Sequence, residues 1–197
     1  PVKLVVNKPS NSSSLKNITS IEDIDNLIND MLEHIDQITL DYDLKETHQF
    51  VLILPVSYYG PGSYNKWIRV GWALKNTNIK LLPTWLKFCS QSKEFLVSDI
   101  SELIELWNTF DTNNKDGLTG RSIMYWAKID NPIEYKRVRE ETFSYYIELT
   151  VTNQTDFDFA QVLYQIAKQE FVCVSIKNNT WYEYNGHKWY EIDSGNT

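Results

Sequence analysis

Two clusters in this sequence combine basic and aromatic side chains at a spacing that could do chemistry. The first is Tyr64, Lys66, Trp67, Arg69 and Trp72, followed by Lys75; the second is Arg121, Tyr125 and Lys128. The chemistry would be noncovalent. Lys and Arg displace counterions from a phosphate backbone, and exposed rings stack on unpaired bases, so such clusters suit single-stranded DNA. Lys136, Arg137 and Arg139 carry the basic series onto the next helical segment. The same residues admit a second reading, in which the cations cover a solvated helix face and Trp67, Trp72, Trp107 and Trp126 pack into a core.

Charge places any such contact along the chain. The net charge of −7 is unevenly spread: residues 1–60 hold 4 basic and 9 acidic side chains, residues 61–139 hold 12 and 8, and residues 140–197 hold 3 and 9. A phosphate contact therefore belongs in the middle third. The acidity of the whole favours a different class, a protein-interaction or oligomerisation adaptor that touches no DNA.

Covalent chemistry finds no residues. There is no phosphate-binding Gly loop, no dinucleotide fingerprint and no pair of His at ligand spacing. The acids near Ile21, and Asp156 with Asp158, fall in helix first turns, where they favour the positive end of the macrodipole. His187 and Glu183 share a hairpin without a nucleophile, and His34 stands alone in its helix. Asp111, Asn113 and Asp116 before Gly117 depart from the calcium-loop ligand ladder and no Glu closes it, so they read as a polar turn. The expected catalytic, cofactor-binding and metal residues are none. Cys89 and Cys173 are far apart and lack partners at metal spacing, which argues for a reducing, intracellular compartment. No apolar run approaches the ~20 residues of a membrane span, so the chain reads as soluble. The sequons at Asn11, Asn17, Asn153 and Asn178 read as chance in an Asn-rich sequence.

These side chains need helices to hold them. Ser20 with Asp23 predicts a cap, and Ile21, Ile24, Ile28, Met31, Ile35 and Ile38 follow at helical spacing. Phe50 to Leu54 reads as the buried end of a short helix stopped by Pro55, and residues 55–62 as loop. Ser63 is placed to cap the helix of the first cluster, whose Trp67, Val70, Ala73 and Leu74 share one face. Pro83 starts a helix through Trp85, Leu86 and Phe88. Ser98 caps Ile100, Leu103, Ile104 and Trp107, and Thr119 caps Ile123, Met124, Trp126 and Ala127. Pro132 opens a helix to about Leu149, with Val138, Thr142, Tyr145 and Tyr146 inward. Thr152 to Asp156 breaks it, and a helix resumes from Phe157 to Glu170 with Phe159, Val162, Leu163, Ile166 and Ala167 inward. The period then changes to two. Phe171–Ile176, Trp181–Tyr184 and Lys188–Glu191 read as a three-stranded meander.

The runs Gly62 to Asn76, Trp85 to Phe88, Leu106 to Phe110 and Leu118 to Ala127 together resemble the small helical domain C-terminal to the catalytic domain of many viral and phage primases. That resemblance covers about residues 20–130. Phe171 to Tyr184, then Trp189 before Asp193-Ser194-Gly195, resembles the domain just ahead of the motor in poxvirus-type primase–helicases of large nucleocytoplasmic DNA viruses. The resemblance implies an archaeo-eukaryotic primase domain upstream and a hexameric, ATP-driven superfamily 3 helicase downstream, acting inside the infected host cell at a cytoplasmic replication site. ATP and Mg would bind only in those flanking domains, and none of the family's catalytic residues falls on this sequence. Its start at Pro1 and stop at Thr197 read as a piece cut from a longer protein.

The expected fold is mainly α, α+β overall: a small helical bundle followed by helices and a C-terminal three-stranded antiparallel β-meander. Residues 1–19 are expected as linker, 20–130 as the primase C-terminal-type domain and 131–197 as an incomplete helicase N-terminal-type domain. The role implied is a non-catalytic connector or collar. Its expected partners are the flanking primase and helicase domains, single-stranded or forked DNA and further copies of the chain, with no membrane.

Overall fold

A computed structural model of the chain describes residues 18–36, 42–111 and 117–192. The expected linker up to Asn17, Ile38, the polar-turn residues Asn113 and Asp116, and the side chains of His34 and Ile35 lie outside the described residues. The described chain is mainly helical and ends in a three-stranded antiparallel sheet, the architecture expected from the sequence. It divides into two compact units, Pro1–Val138 and Arg139–Thr197.

The first unit is a helical bundle. Helices α1 (Ile21–Asp36), α2 (Tyr42–Leu52), α3 (Tyr64–Thr77), α4 (Leu82–Cys89), α5 (Ile100–Thr109) and α6 (Gly120–Asp130) lead into the start of α7 (Pro132–Asn153). The α1 cap forms as the sequence predicts. The Asp23 N–H donates to the Ser20 hydroxyl at 3.1 Å, and the Thr19 N–H donates to the Asp23 carboxylate at 2.8 Å. That pairing holds the Asp23 carboxyl below the ordinary carboxylate range. Helix α4 lies against α1, α2, α3 and α5, and it is buried nearly all round. Trp85, Phe88, Leu74, Leu81 and Val70 fill the centre with Phe50 and Val51 from α2.

Two expected caps form differently. Ser63 stands at the N-cap of α3, but only its carbonyl caps, accepting from Lys66 N–H at 2.8 Å and Trp67 N–H at 2.9 Å. Ser98 lies inside a short 3-10 turn, Val97–Asp99, so α5 starts one residue after that turn's Asp99 cap position. There the Asp99 carboxylate accepts from Leu96 N–H at 3.1 Å. That bond reaches back across the 3-10 turn, and α5 itself has no side-chain cap.

The tryptophans divide unequally. Trp107 is buried and Trp67 and Trp126 are half-buried against the core, but Trp72 is 45% exposed, which corrects its expected place in the core. Gly71 is needed for close approach: a Cβ there would stand 2.7 Å from the Phe110 ring and 3.1 Å from Trp85.

The second unit holds the rest of α7, then α8 (Asp156–Ala167) and strands β1 (Phe171–Ser175), β2 (Thr180–Tyr184) and β3 (Trp189–Ile192). The strands run in the order β1-β2-β3, with Val172 opposite Tyr182 and Tyr184 opposite Trp189, and a bulge between Cys173 and Ser175. Helix α7 buries Thr142, Tyr146 and Thr150 at four-residue spacing and runs four residues beyond its expected end at Leu149, to Asn153, so that the break falls within the expected Thr152–Asp156. It stops at Gln154, whose φ of 55° is left-handed.

Helix α8 is the main correction. Phe159, Leu163 and Ile166, expected inward, are exposed, Leu163 by 65%, while Asp158 and Gln165 are buried. The Asp158 carboxylate and Gln165 Oε1 find partners within the unit, whereas Gln165 Nε2 has none among the described residues. Thr155 Oγ1 donates to the Asp158 carboxylate at 2.5 Å, and the Arg139 guanidinium donates to the Gln165 carbonyl at 2.7 Å and to its Oε1 at 3.4 Å. The polar stripe thus faces its own unit and leaves the apolar stripe in water. No described helix is long and apolar enough to cross a membrane.

Candidate nucleic-acid interface

Helices α3 and α6 run antiparallel. At one end the Gly120 N–H donates to Thr77 Oγ1 at 2.7 Å and Asn76 Nδ2 donates to the Leu118 carbonyl at 3.0 Å. At the other, the Tyr58 hydroxyl donates to Asp130 at 2.7 Å and Lys66 Nζ lies 3.7 Å from the same carboxylate. Between these ends the Arg69 guanidinium rests 5.2 Å from the centre of the Trp126 ring. An aromatic face beneath a guanidinium fixes it without neutralising it, so the cation remains available to an anion.

The pair of helices is basic by composition. Helix α3 contains Lys66, Arg69 and Lys75 and no acidic residue, and α6 contains Arg121 and Lys128 against Asp130 alone. Arg121, Tyr125 and Lys128, four and three residues apart, line one exposed stripe of α6. Trp72 on α3 and Tyr125 on α6, 60% exposed, supply flat rings beside these cations.

The remaining predicted residues lie elsewhere. Lys75 turns away from the surface, its ammonium donating to the carbonyls of Trp107 at 2.7 Å, Asn108 at 3.0 Å and Phe110 at 2.8 Å. It closes the C-terminus of α5, as cations do at helix ends, and desolvation lowers its pKa. Lys136 is exposed on α7, and Arg137 is paired with Glu134 at 2.8 Å. Arg139 belongs to the second unit and holds Gln165. Lys66 and Arg69 thus meet α6 at Asp130 and Trp126 and form one face, while Arg121 and Lys128 lie on the separate exposed stripe of α6.

Tyr58 and Asp130 complete this face and were not legible as part of it. Tyr58 lies in a stretch that reads as loop, and only the fold brings Asp130 to it across 72 positions. Burial, then the Asp130 hydrogen bond, raises the Tyr58 pKa and keeps the hydroxyl a donor. Among the described residues, no group of three or more His, Cys, Asp or Glu side chains could hold a metal ion.

Residues 52–127, from the end of α2 through most of α6, match the family Primase C terminal 2 (PriCT-2). The relatives are viral. A protein of Acanthamoeba polyphaga mimivirus, named a putative helicase, is 29% identical over 136 residues, 68% of this chain and 14% of the relative. A putative primase of African swine fever virus is 30% identical over 152 residues, 73% of this chain and 16% of its own length. A putative helicase of Frog virus 3 is 25% identical over 134 residues, covering 66% and 13%. The chain thus spans between 13% and 16% of the length of these relatives. The primase–helicase resemblance read from the sequence is borne out, in the helical unit and in the viral relatives.

Proposed function

We propose that this chain is a non-catalytic connector in a viral replicative primase–helicase, linking primer synthesis to ATP-driven unwinding and guiding single-stranded DNA across α3 and α6. The observation that carries the reading is Arg69 laid over Trp126 in a helix pair with one acidic residue. The primase C-terminal match, which contains most of both helices, and the primase and helicase names of the relatives support it. Domain limits of 20–130 and 131–197 belong to the same proposal, as does action in the infected cell. ATP and Mg are assigned to flanking domains. Purified chain is therefore expected to release no phosphate from ATP, with or without DNA; DNA-dependent release that survives repurification would contradict it.

The binding test is fluorescence anisotropy of a labelled single strand across a salt series. Affinity is expected to be weak, independent of sequence and steeply salt-dependent. Arg69→Glu and Arg121→Glu should each weaken it, and the salt slope should flatten by about 0.7 for each phosphate that the protein no longer neutralises. Lys75→Met should leave the slope unchanged, because its ammonium is held by backbone carbonyls. Absence of binding even at low salt would favour the adaptor reading.

That second reading has its own observation, the outward apolar stripe of α8 at Phe159, Leu163 and Ile166. Solution mass tests it. A stable oligomer would support subunit packing, and a strict monomer would count against it in this chain.

A further inference from the structure

A cleft of about 290 Å³ opens beside the start of α3, between the turn at residues 59–64 and the segment at residues 89–103. Its walls are aromatic, from Tyr59, Tyr64, Trp67 and Phe95, and its charged groups are the carboxylates of Glu94 and Asp99. No Lys, Arg or His lines it among the described residues. Helix α5, which follows, adds Glu102 and Glu105 and no basic residue. The cleft lining is therefore acidic where α3 and α6 are basic, with Lys93, which does not line it, the neighbouring cation beside Glu94.

The walls are held before any ligand arrives. The Trp67 indole donates through Nε1 to Cys89 Sγ at 3.2 Å, and burial raises the Cys89 thiol pKa, so the floor is neutral. Asp99 is fixed by the Leu96 N–H at 3.1 Å and retains lone pairs for a second donor. Tyr64, 65% exposed, stands at the rim with its ring centre 5.7 Å from that of Trp67.

Two carboxylates without a cation exclude a phosphate. Aromatic faces beside carboxylates favour a flat cation, which gains from ring quadrupole and charge-assisted hydrogen bonds together. The guanidinium of arginine has that shape, and its planar fork suits a carboxylate better than an ammonium does. We propose that this cleft binds an arginine side chain presented by a partner protein segment. The site is independent of the DNA reading, because it lies outside the basic face and would repel a phosphate backbone.

The test uses the 197-residue chain, labelled with ¹⁵N. Its probe is the peptide acetyl-Gly-Arg-Gly-Arg-Gly-amide, beside the same peptide with citrulline for arginine. Citrulline keeps the shape and removes the charge. The indole N–H of Trp67, assigned by loss of its signal in Trp67→Phe, should shift saturably with the arginine peptide and not with the citrulline one. Glu94→Gln should weaken binding by up to about fivefold, and Tyr64→Ala by about two- to fivefold. Both side chains are exposed, so the variants should fold, and an unchanged amide spectrum elsewhere verifies it. Equal shifts from the citrulline peptide, or none from either, would overturn the proposal. So would an indole shift produced by oligodeoxycytidine and not by peptide, which would make the cleft a base site.

Discussion

Trp85→Ala is expected to destabilise the helical unit severely and lower its melting temperature. The side chain is fully buried, and its ring centre lies 4.8 Å from that of Trp67, 6.1 Å from Phe88 and 6.0 Å from Phe110. Its removal leaves a cavity where α3, α4 and the α5 C-terminus meet, with Gly71 on one wall adding no side chain. Truncating a buried aromatic costs about 3–5 kcal/mol, against a total stability of about 5–15 kcal/mol for a domain. No hydrogen bond is lost, since Trp85 Nε1 has no partner among the described residues. The penalty is packing alone, and Trp85→Phe should recover most of it. Thermal melting followed by far-ultraviolet circular dichroism reads the result. A Trp85→Ala variant that melts with the parent would refute this centre for the core, whereas Trp72→Ala, at an exposed position, should melt like the parent.

The contrast between these two tryptophans shows what the sequence could convey. Trp67 and Trp72 both sit among apolar residues in α3, but five residues at about 100° each place them about 140° apart on the helix. Spacing gives that angle without saying how wide the buried arc is. Trp85 was legible only as part of a short helix; its burial follows from the packing of that helix, which is buried nearly all round. The meander was legible because period two and turn residues are local signals. Helix α8, by contrast, was misread. Its apolar stripe is real, but periodicity identifies the stripe and not what covers it, and here the opposite, polar stripe with Asp158 and Gln165 is the buried one.

The candidate site divides along the same line. Lys66, Arg69, Arg121 and Lys128 were legible as cations beside aromatic rings, because the clusters are short in sequence. Lys75 belongs to the same run, yet its three acceptors lie 32 to 35 residues away at the end of α5. Only the tertiary fold decides that its ammonium meets carbonyls rather than solvent. The cleft at Tyr64 and Trp67 was missed in the same way, since Phe95, Glu94 and Asp99 reach it from beyond α4.

Stability should also fall on mild acidification, through His48. This side chain is buried in α2, its Nδ1 stands 2.9 Å from Thr84 Oγ1 on α4, and Thr84 is itself fully buried. Burial first, and the nearby Lys87 charge second, lower its pKa from 6.5 to about 4. Lys87 is in turn paired with Asp25 on α1 at 2.5 Å. The unfolded chain takes up a proton near pH 6.5, whereas the folded chain does not until about pH 4. Stability is therefore complete above pH 6.5 and declines as the pH falls, and the loss ends once the folded state also protonates. Each unit of separation is worth about 1.4 kcal/mol, so the loss reaches roughly 3 kcal/mol by about pH 4. Asp23, whose folded pKa lies below its ordinary 3.8, contributes chiefly at lower pH and leaves this window to the imidazole. Urea unfolding at about pH 7 and about pH 4.5, read from the indole fluorescence of the helical unit, should show the midpoint dropping in the parent. His48→Gln keeps a polar group facing Thr84 and removes the titration, so its midpoint should change far less between the two conditions. An equal drop in both proteins would place the acid sensitivity elsewhere.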